Sequence, residues 1–293
     1  MNMKRVAAGG DRRPLTLVHV RAVTGALLVS LASVAAHAQD SDPTAALTRA
    51  KLYVAQFEKD LSAVVAEQQD RQRIVRADGT IKRERAIVSD ILLARTGNSP
   101  RIFRDVISVD GKPVTDRDER VRKLFLAASS SESEIERIRK IAKEGSRFDI
   151  ALRGGFDMLL LPIRILGPLV DRFTFEADDH GLRFTEVKSP AIYRSRSLAG
   201  TLQDMFLHGT FTLDAQGRLL GSSVSATSAD VEFTLDTRYA EDAATKLLLP
   251  VETRQVLHQP HRPKTDRLET VRTYTNFRRF QVTTDEQVAL PPH

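Results

Sequence analysis

Gly209-Thr-Phe-Thr-Leu-Asp-Ala-Gln-Gly-Arg-Leu-Leu220, followed by Val231-Glu-Phe-Thr-Leu-Asp-Thr-Arg-Tyr239, is the stretch that decides the fold. Phe211 and Leu213 alternate with threonines. Gly217 then turns the chain into a return run, Arg218–Thr227. Beyond it Val231, Phe233, Leu235 and Tyr239 keep a period of two against Glu232, Thr234 and Asp236. That period places one set of side chains on one face of a strand, and tight turns between such runs make neighbours antiparallel.

The same grammar extends both ways. Downstream, Lys246–His258 carries Pro250 near its start, where a missing N–H does least harm. Leu268–Val282 reads as the last strand, and its Phe277-Arg-Arg-Phe280 spacing breaks period two, which predicts a bulge or strand end near Arg278. Upstream, Phe173 and Phe175 lead through Asp179-His180-Gly181 into Leu182–Val187. Further back, Asp78-Gly79 and Asp110-Gly111 are hairpin signals bracketing Ile81–Ala94 and Arg101–Val109.

Helices are confined to the start and to one insert. Asp42 and Pro43 suit an N-cap and first helical position. Ala46, Ala50, Tyr53, Val54, Phe57, Leu61, Val64 and Val65 then form a stripe about six turns long. Capping boxes at Asp116/Glu119 and Ser131/Glu134 announce two more helices, joined through Ala127–Ser133, with Gly145 as the second one's stop. Phe156–Val170 reads as a short buried helix plus irregular chain, or as an apolar flap at the mouth of a groove. Strands do not alternate with helices, so a parallel βαβ fold is unsuited. The expectation is α+β: a curved antiparallel sheet, an incomplete β-barrel, with helices on its concave face.

The N-terminus reads as an export signal. Five basic residues precede an apolar run, Ala22–Ala36, and then Ala36-His37-Ala38. That run is below the roughly 20 residues that span a bilayer, so cleavage after Ala38 and a periplasmic location are expected, with secretion the alternative. Arg12-Arg13 leaves Sec and twin-arginine export both open. The domain expectation is then a signal at 1–38 and one half-barrel domain at 39–293, with a helical insert at about 116–166. The signal holds five of the 44 Lys and Arg and one of the 38 Asp and Glu, leaving 39 and 37, a net of +2. A surface so balanced offers little pull on nucleic acid or anionic lipid. With no cysteine there is neither a disulfide nor an N-terminal lipid attachment, and with no Trp a stacking platform is disfavoured.

This order of elements resembles the superfamily of outer-membrane lipoprotein carriers of the LolA/LolB type. The similarity lies in the long first helix, the helical insert, the Gly209–Asp214 and Gly217–Leu220 pair, and the Leu248-Leu-Pro-Val-Glu252 strand. Phe103-Arg-Asp-Val106, Val109-Asp-Gly111, Val114-Thr-Asp-Arg117, Leu124-Phe-Leu126 and Tyr274-Thr-Asn-Phe-Arg-Arg-Phe280 look, more closely, like an uncharacterised family of exported bacterial proteins. The resemblance implies an incomplete barrel whose helices leave an apolar cavity for acyl chains.

No hydrolase elbow, metalloprotease helix, P-loop or dinucleotide fingerprint is present. His258-Gln-Pro-His261 is the one close histidine pair and lacks a third ligand at useful spacing. Asp116–Glu119 is better explained by a helix start than by acid/base work. Arg278-Arg279 and Arg71–Arg85 read as solvated or paired strand faces. The expected function is therefore non-enzymatic, without metal or cofactor: carriage or binding of a lipid-like ligand. Candidate lining residues are Tyr53, Phe57, Leu160, Leu166, Phe173, Phe211 and Phe233. The alternative is a module docking on an envelope protein through a sheet edge or the 156–170 segment. A hydrolase with a site at His208 or His258 and a nearby carboxylate is the third reading.

Overall fold

The structure is a computed structural model. It describes residues 42–60, 64–96, 99–117, 119, 136, 140, 143–150, 158–197, 199–259 and 266–279, all within the unit Gln39–His293. The expected signal, the Ser131/Glu134 capping box, the Ala127–Ser133 loop and the run beyond Arg279 lie outside these residues.

The chain order is α1 (Pro43–Asp60), β1 (Val64–Val75), β2 (Ile81–Thr96), β3 (Ser99–Val109), β4 (Lys112–Pro113), α2 (Leu161–Leu166), β5 (Phe173–Asp178) and β6 (Gly181–Glu186). It continues with β7 (Tyr193–Arg196), β8 (Leu202–Met205), β9 (Leu207–Leu213), β10 (Leu219–Thr227), β11 (Glu232–Glu241), β12 (Leu248–His258) and β13 (Arg267–Arg279). Eleven strands form one antiparallel sheet in the order β4-β3-β2-β1-β13-β12-β11-β10-β9-β6-β5, and β7 with β8 makes a separate ribbon. β4 and β5 are at opposite ends and do not pair, so the curved sheet stays open. The α+β half-barrel is thus the architecture found. Strands from the two ends of the chain meet in its middle, where Asp70 of β1 faces Arg272 of β13.

Local sequence explains the turns. Asp110 and Gly111 both take positive φ, 51° and 75°, in a two-residue hairpin between β3 and β4. At the β9–β10 turn, Asp214 accepts from the N–H groups of Gln216 and Arg218 at 3.0 and 2.8 Å. Gly217 follows at φ +79°, so close to α1 that a Cβ would lie 2.6 Å from that of Arg49. Only glycine fits there. Of the bulge or strand end expected near Arg278, a bulge occurs at Asn276, φ 54°, where the β1–β13 register slips between Val65 and Glu67, and β13 ends at Arg279.

The first helix is shorter than its stripe predicts. Asp42 caps it, accepting from Thr44 N at 2.9 Å, and Ala50, Val54 and Phe57 are its buried face. It ends at Asp60, and Val64 and Val65 open β1 instead. Both valines fit either period; pairing with β2 and β13 on two sides, together with β-branched stiffness, favours the strand.

The core is one buried apolar cluster uniting α1, α2 and the inner faces of most strands. A 3-10 turn, Met158–Leu160, leads into α2, and every side chain from Met158 to Leu166 except Arg164 is buried. The 156–170 segment is therefore a short buried helix over 158–166, as the first of its two readings has it. Phe184 stacks on Phe211 with centroids 4.5 Å apart and meets Phe173 edge-on at 5.7 Å.

Candidate binding face

The seven residues expected to line a groove come together. Phe57, Leu160, Leu166, Phe173, Phe211 and Phe233 are all buried members of the apolar cluster, and Tyr53 packs partly buried against it. Tyr53 lies 5.7 Å from Phe57, centroid to centroid, and its hydroxyl donates to the Leu248 carbonyl at 3.4 Å. Burial raises the Tyr53 pKa well above the ordinary phenol range, partly offset by Arg218. Because Leu160 and Leu166 point into the protein, the 156–170 segment offers no apolar docking surface at those positions. The docking reading retains the outer edge of β5, which among the described residues pairs with β6 alone.

Toward β12, β13 and β1 the same inner face changes character. Inward positions of β1 read Val64, Ala66, Gln68, Asp70 and Gln72, all buried. Asp70 Oδ2 accepts from Arg104 Nη2 at 3.0 Å, Arg272 Nε at 3.1 Å and Gln72 Nε2 at 3.0 Å. Asp149 accepts from Arg104 Nη1 and Gln72 Nε2, both at 2.8 Å, and Ile150 N donates to Gln72 Oε1 at 2.8 Å. The 143–150 stretch, helical to Gly145, is thereby fixed over β1 and β3 by polar contacts. Burial pulls the Arg272 guanidinium down, but Asp70, Tyr274 and Asp149 more than restore it, and its pKa ends above the usual value.

This polar belt crosses the sheet in register. Ser222 faces Thr237, Thr237 faces Thr253, Thr253 faces Arg272, and Arg272 faces Asp70. Next to it Tyr274 OH receives Gln68 Nε2 at 3.3 Å and lies 3.4 Å from Thr253 Oγ1. Burial also raises the Tyr274 and Tyr239 pKa values, with Tyr53 and Tyr274 both contributing at Tyr239. Three of the chain's four tyrosines so meet where apolar and polar halves join. Sequence reasoning missed this belt. Its signal was phase: Thr237 sits in register with inward Phe233, Leu235 and Tyr239.

The other candidates are placed as follows. Arg117 pairs with Asp105 at 2.6 Å and Asp90 at 3.4 Å, and Asp116 with Arg147 at 3.3 Å. Arg278 reaches Asp90 at 3.5 Å, and within Arg71–Arg85 Glu84 holds Arg71 and Arg73. His258 Nδ1 lies 3.2 Å from Glu232 Oε2, but the pair is on the exposed outer face of β11 and β12 rather than in a cleft. Among the described residues no group of three or more His, Asp or Glu could hold a metal ion. A cleft of about 320 Å³ opens at the start of α1, between Pro43, Arg49, Asp178, Asp214 and Gly217.

No family model matches the chain, and no curated protein does. Among solved structures it is similar to a DUF1329 family protein from Desulfovibrio piger, with 10% identity over 85% of this chain and 95% of that one, at a TM-score of 0.40. It is also similar to an S-type phycobiliprotein lyase from Guillardia theta, with 8% identity over 80% and 97%, at a TM-score of 0.28.

Proposed function

We propose that this chain is a non-enzymatic binding or carrier protein for a lipid-like ligand, acting in the periplasm after removal of residues 1–38. The observation that carries the reading is the convergence of Tyr53, Phe57, Leu160, Leu166, Phe173, Phe211 and Phe233 on the inner face of a sheet that stays open. An acyl chain entering beside α1 and α2 exchanges one apolar contact set for another, so opening costs little apolar exposure. In this reading those side chains hold the ligand's apolar part, with no cofactor.

The test uses the full chain expressed in an exporting host. Organic extracts of the purified periplasmic protein are examined by mass spectrometry, and N-phenyl-1-naphthylamine, an apolar fluorescent probe, is titrated in. Co-purified lipid or a saturable rise in fluorescence is expected, with a mature N-terminus at Gln39. No extracted lipid together with no fluorescence rise refutes the carrier reading.

A further inference from the structure

Five polar side-chain atoms on the inner face are buried and have no hydrogen-bond partner among the described residues: Ser222 Oγ, Thr237 Oγ1, Tyr239 OH, Gln68 Oε1 and Asp70 Oδ1. Each belongs to a residue at least nine-tenths buried. They are not scattered. Ser222 and Thr237 are cross-strand partners, Tyr239 follows Thr237 on the same face of β11, and Gln68 and Asp70 are successive inward positions of β1. Thr253 and Tyr274 join the two groups across β12 and β13. Four strand spacings separate β10 from β1, so the row is roughly 19 Å long. Native interiors leave few such atoms unpaired, so a contiguous row of them on one sheet face calls for a partner.

We infer that this row receives the polar end of the bound amphiphile, and that this end is uncharged and hydroxyl-bearing. The inference rests on the carrier reading above. Gln68 Oε1 and Asp70 Oδ1 only accept, so the ligand must donate there; the three hydroxyls take or give. A phosphate or carboxylate brings lone pairs and negative charge against Asp70. Arg272 and Arg104 are already engaged by Asp70, Asp149 and Gln255, and the two arginines balance the two aspartates. A hydroxyl-rich head, such as that of a monoacylglycerol, matches both the donor demand and the neutral charge.

The experiment displaces N-phenyl-1-naphthylamine from the full chain with monoolein, oleate or oleylamine, which share an eighteen-carbon chain and differ in the head. Monoolein is expected to compete about tenfold better than either charged analogue, the scale of one to two hydrogen bonds. In Ser222→Ala/Thr237→Val that preference collapses. Thermal unfolding of the variant is not lowered, since the hydroxyls it removes have no protein partner. Equal competition by the three heads, tighter binding of oleate or oleylamine, a preference that survives in the variant, or a lowered melting temperature overturns the inference while the carrier reading stands. If the fluorescent probe fails to bind and no lipid is extracted, both fall; if the probe fails but the extracted lipid carries a charged head, the inference alone falls, and an extracted neutral hydroxylated lipid supports it.

Discussion

Asp70→Asn tests the polar belt at its most buried charge. The Asp70 side chain is fully buried and gathers Arg104, Arg272 and Gln72 on one oxygen. Asparagine keeps the shape and removes the charge. Arg104 retains Asp149 at 2.8 Å, whereas Arg272 is left with Gln255 Oε1 at 3.4 Å. Removing one member of a buried pair costs about 3–5 kcal/mol, chiefly through the ion left behind. Because Arg104 keeps an anion, the lower end, about 3 kcal/mol, is expected here. For a chain of this size that is about 6–12 °C in Tm. Urea and thermal unfolding followed by circular dichroism read it, and high salt should change the difference little because the pair is shielded from solvent. Arg272→Met should cost a similar amount, and the double variant about 1–3 kcal/mol less than the sum of the singles. An Asp70→Asn cost under about 1 kcal/mol, or strict additivity, refutes the claim that these residues form one buried charge unit.

Two glycine substitutions form a matched pair: Gly79→Ala meets open space and pays only for its positive φ, about 1–2 kcal/mol, while Gly217→Ala also drives a Cβ into Arg49 and should cost at least about 2 kcal/mol more in urea unfolding. Equal costs would mean the β9–β10 turn does not press on α1. Leu161→Ala, fully buried in α2, should lose about 2–5 kcal/mol by the same assay, and a surface-like loss under about 0.5 kcal/mol would show that α2 is not core. Asp78 is exposed and held below the ordinary carboxylate range first by the Thr80 hydroxyl and then by its backbone N–H. A depressed carboxyl stabilises above its unfolded pKa and loses that contribution as pH falls through the folded one. Thr80→Ala should return the Asp78 titration, followed by NMR, toward the ordinary value, and an unmoved curve contradicts that cause.

What the sequence made legible, and what it hid, follows from which faces of the strands are apolar. In β6, β9 and β11 the inward and outward positions alternate regularly, and these strands stand where period two puts them. β1 was legible only toward its hairpin end, because its inward slots hold Gln68, Asp70 and Gln72, so a twelve-residue strand offered period-two reading almost nothing apolar beyond its ends. The helix overran for the complementary reason: Leu61, Val64 and Val65 continue a three-and-four spacing by chance of composition. β7 and β8 are four residues each, too short for any period to register. The apolar half of the candidate face was readable residue by residue, since aromatic side chains at inward positions have one place to go. Its polar half was not, because Thr237, Thr253 and Thr270 look like the solvated side of a strand until the register is known.

That polar half is the part stability alone does not account for. Each buried polar atom left unpaired costs about 1–3 kcal/mol, so five together reach about 5–15 kcal/mol, the scale of a whole domain's stability. Apolar residues of similar volume at Ser222, Thr237 and Tyr239 would remove that cost without disturbing any hydrogen bond the protein makes through them. The charged members tell the same story, since a buried Asp–Arg group is often no more stabilising than well-packed aliphatic side chains. A folded chain that keeps these groups must satisfy them from outside its own side chains. An apolar cluster beside α1 and an unpaired polar row reaching β1, on one face of one open sheet, are the two observations on which the proposed ligand, oily at one end and hydroxylated at the other, rests.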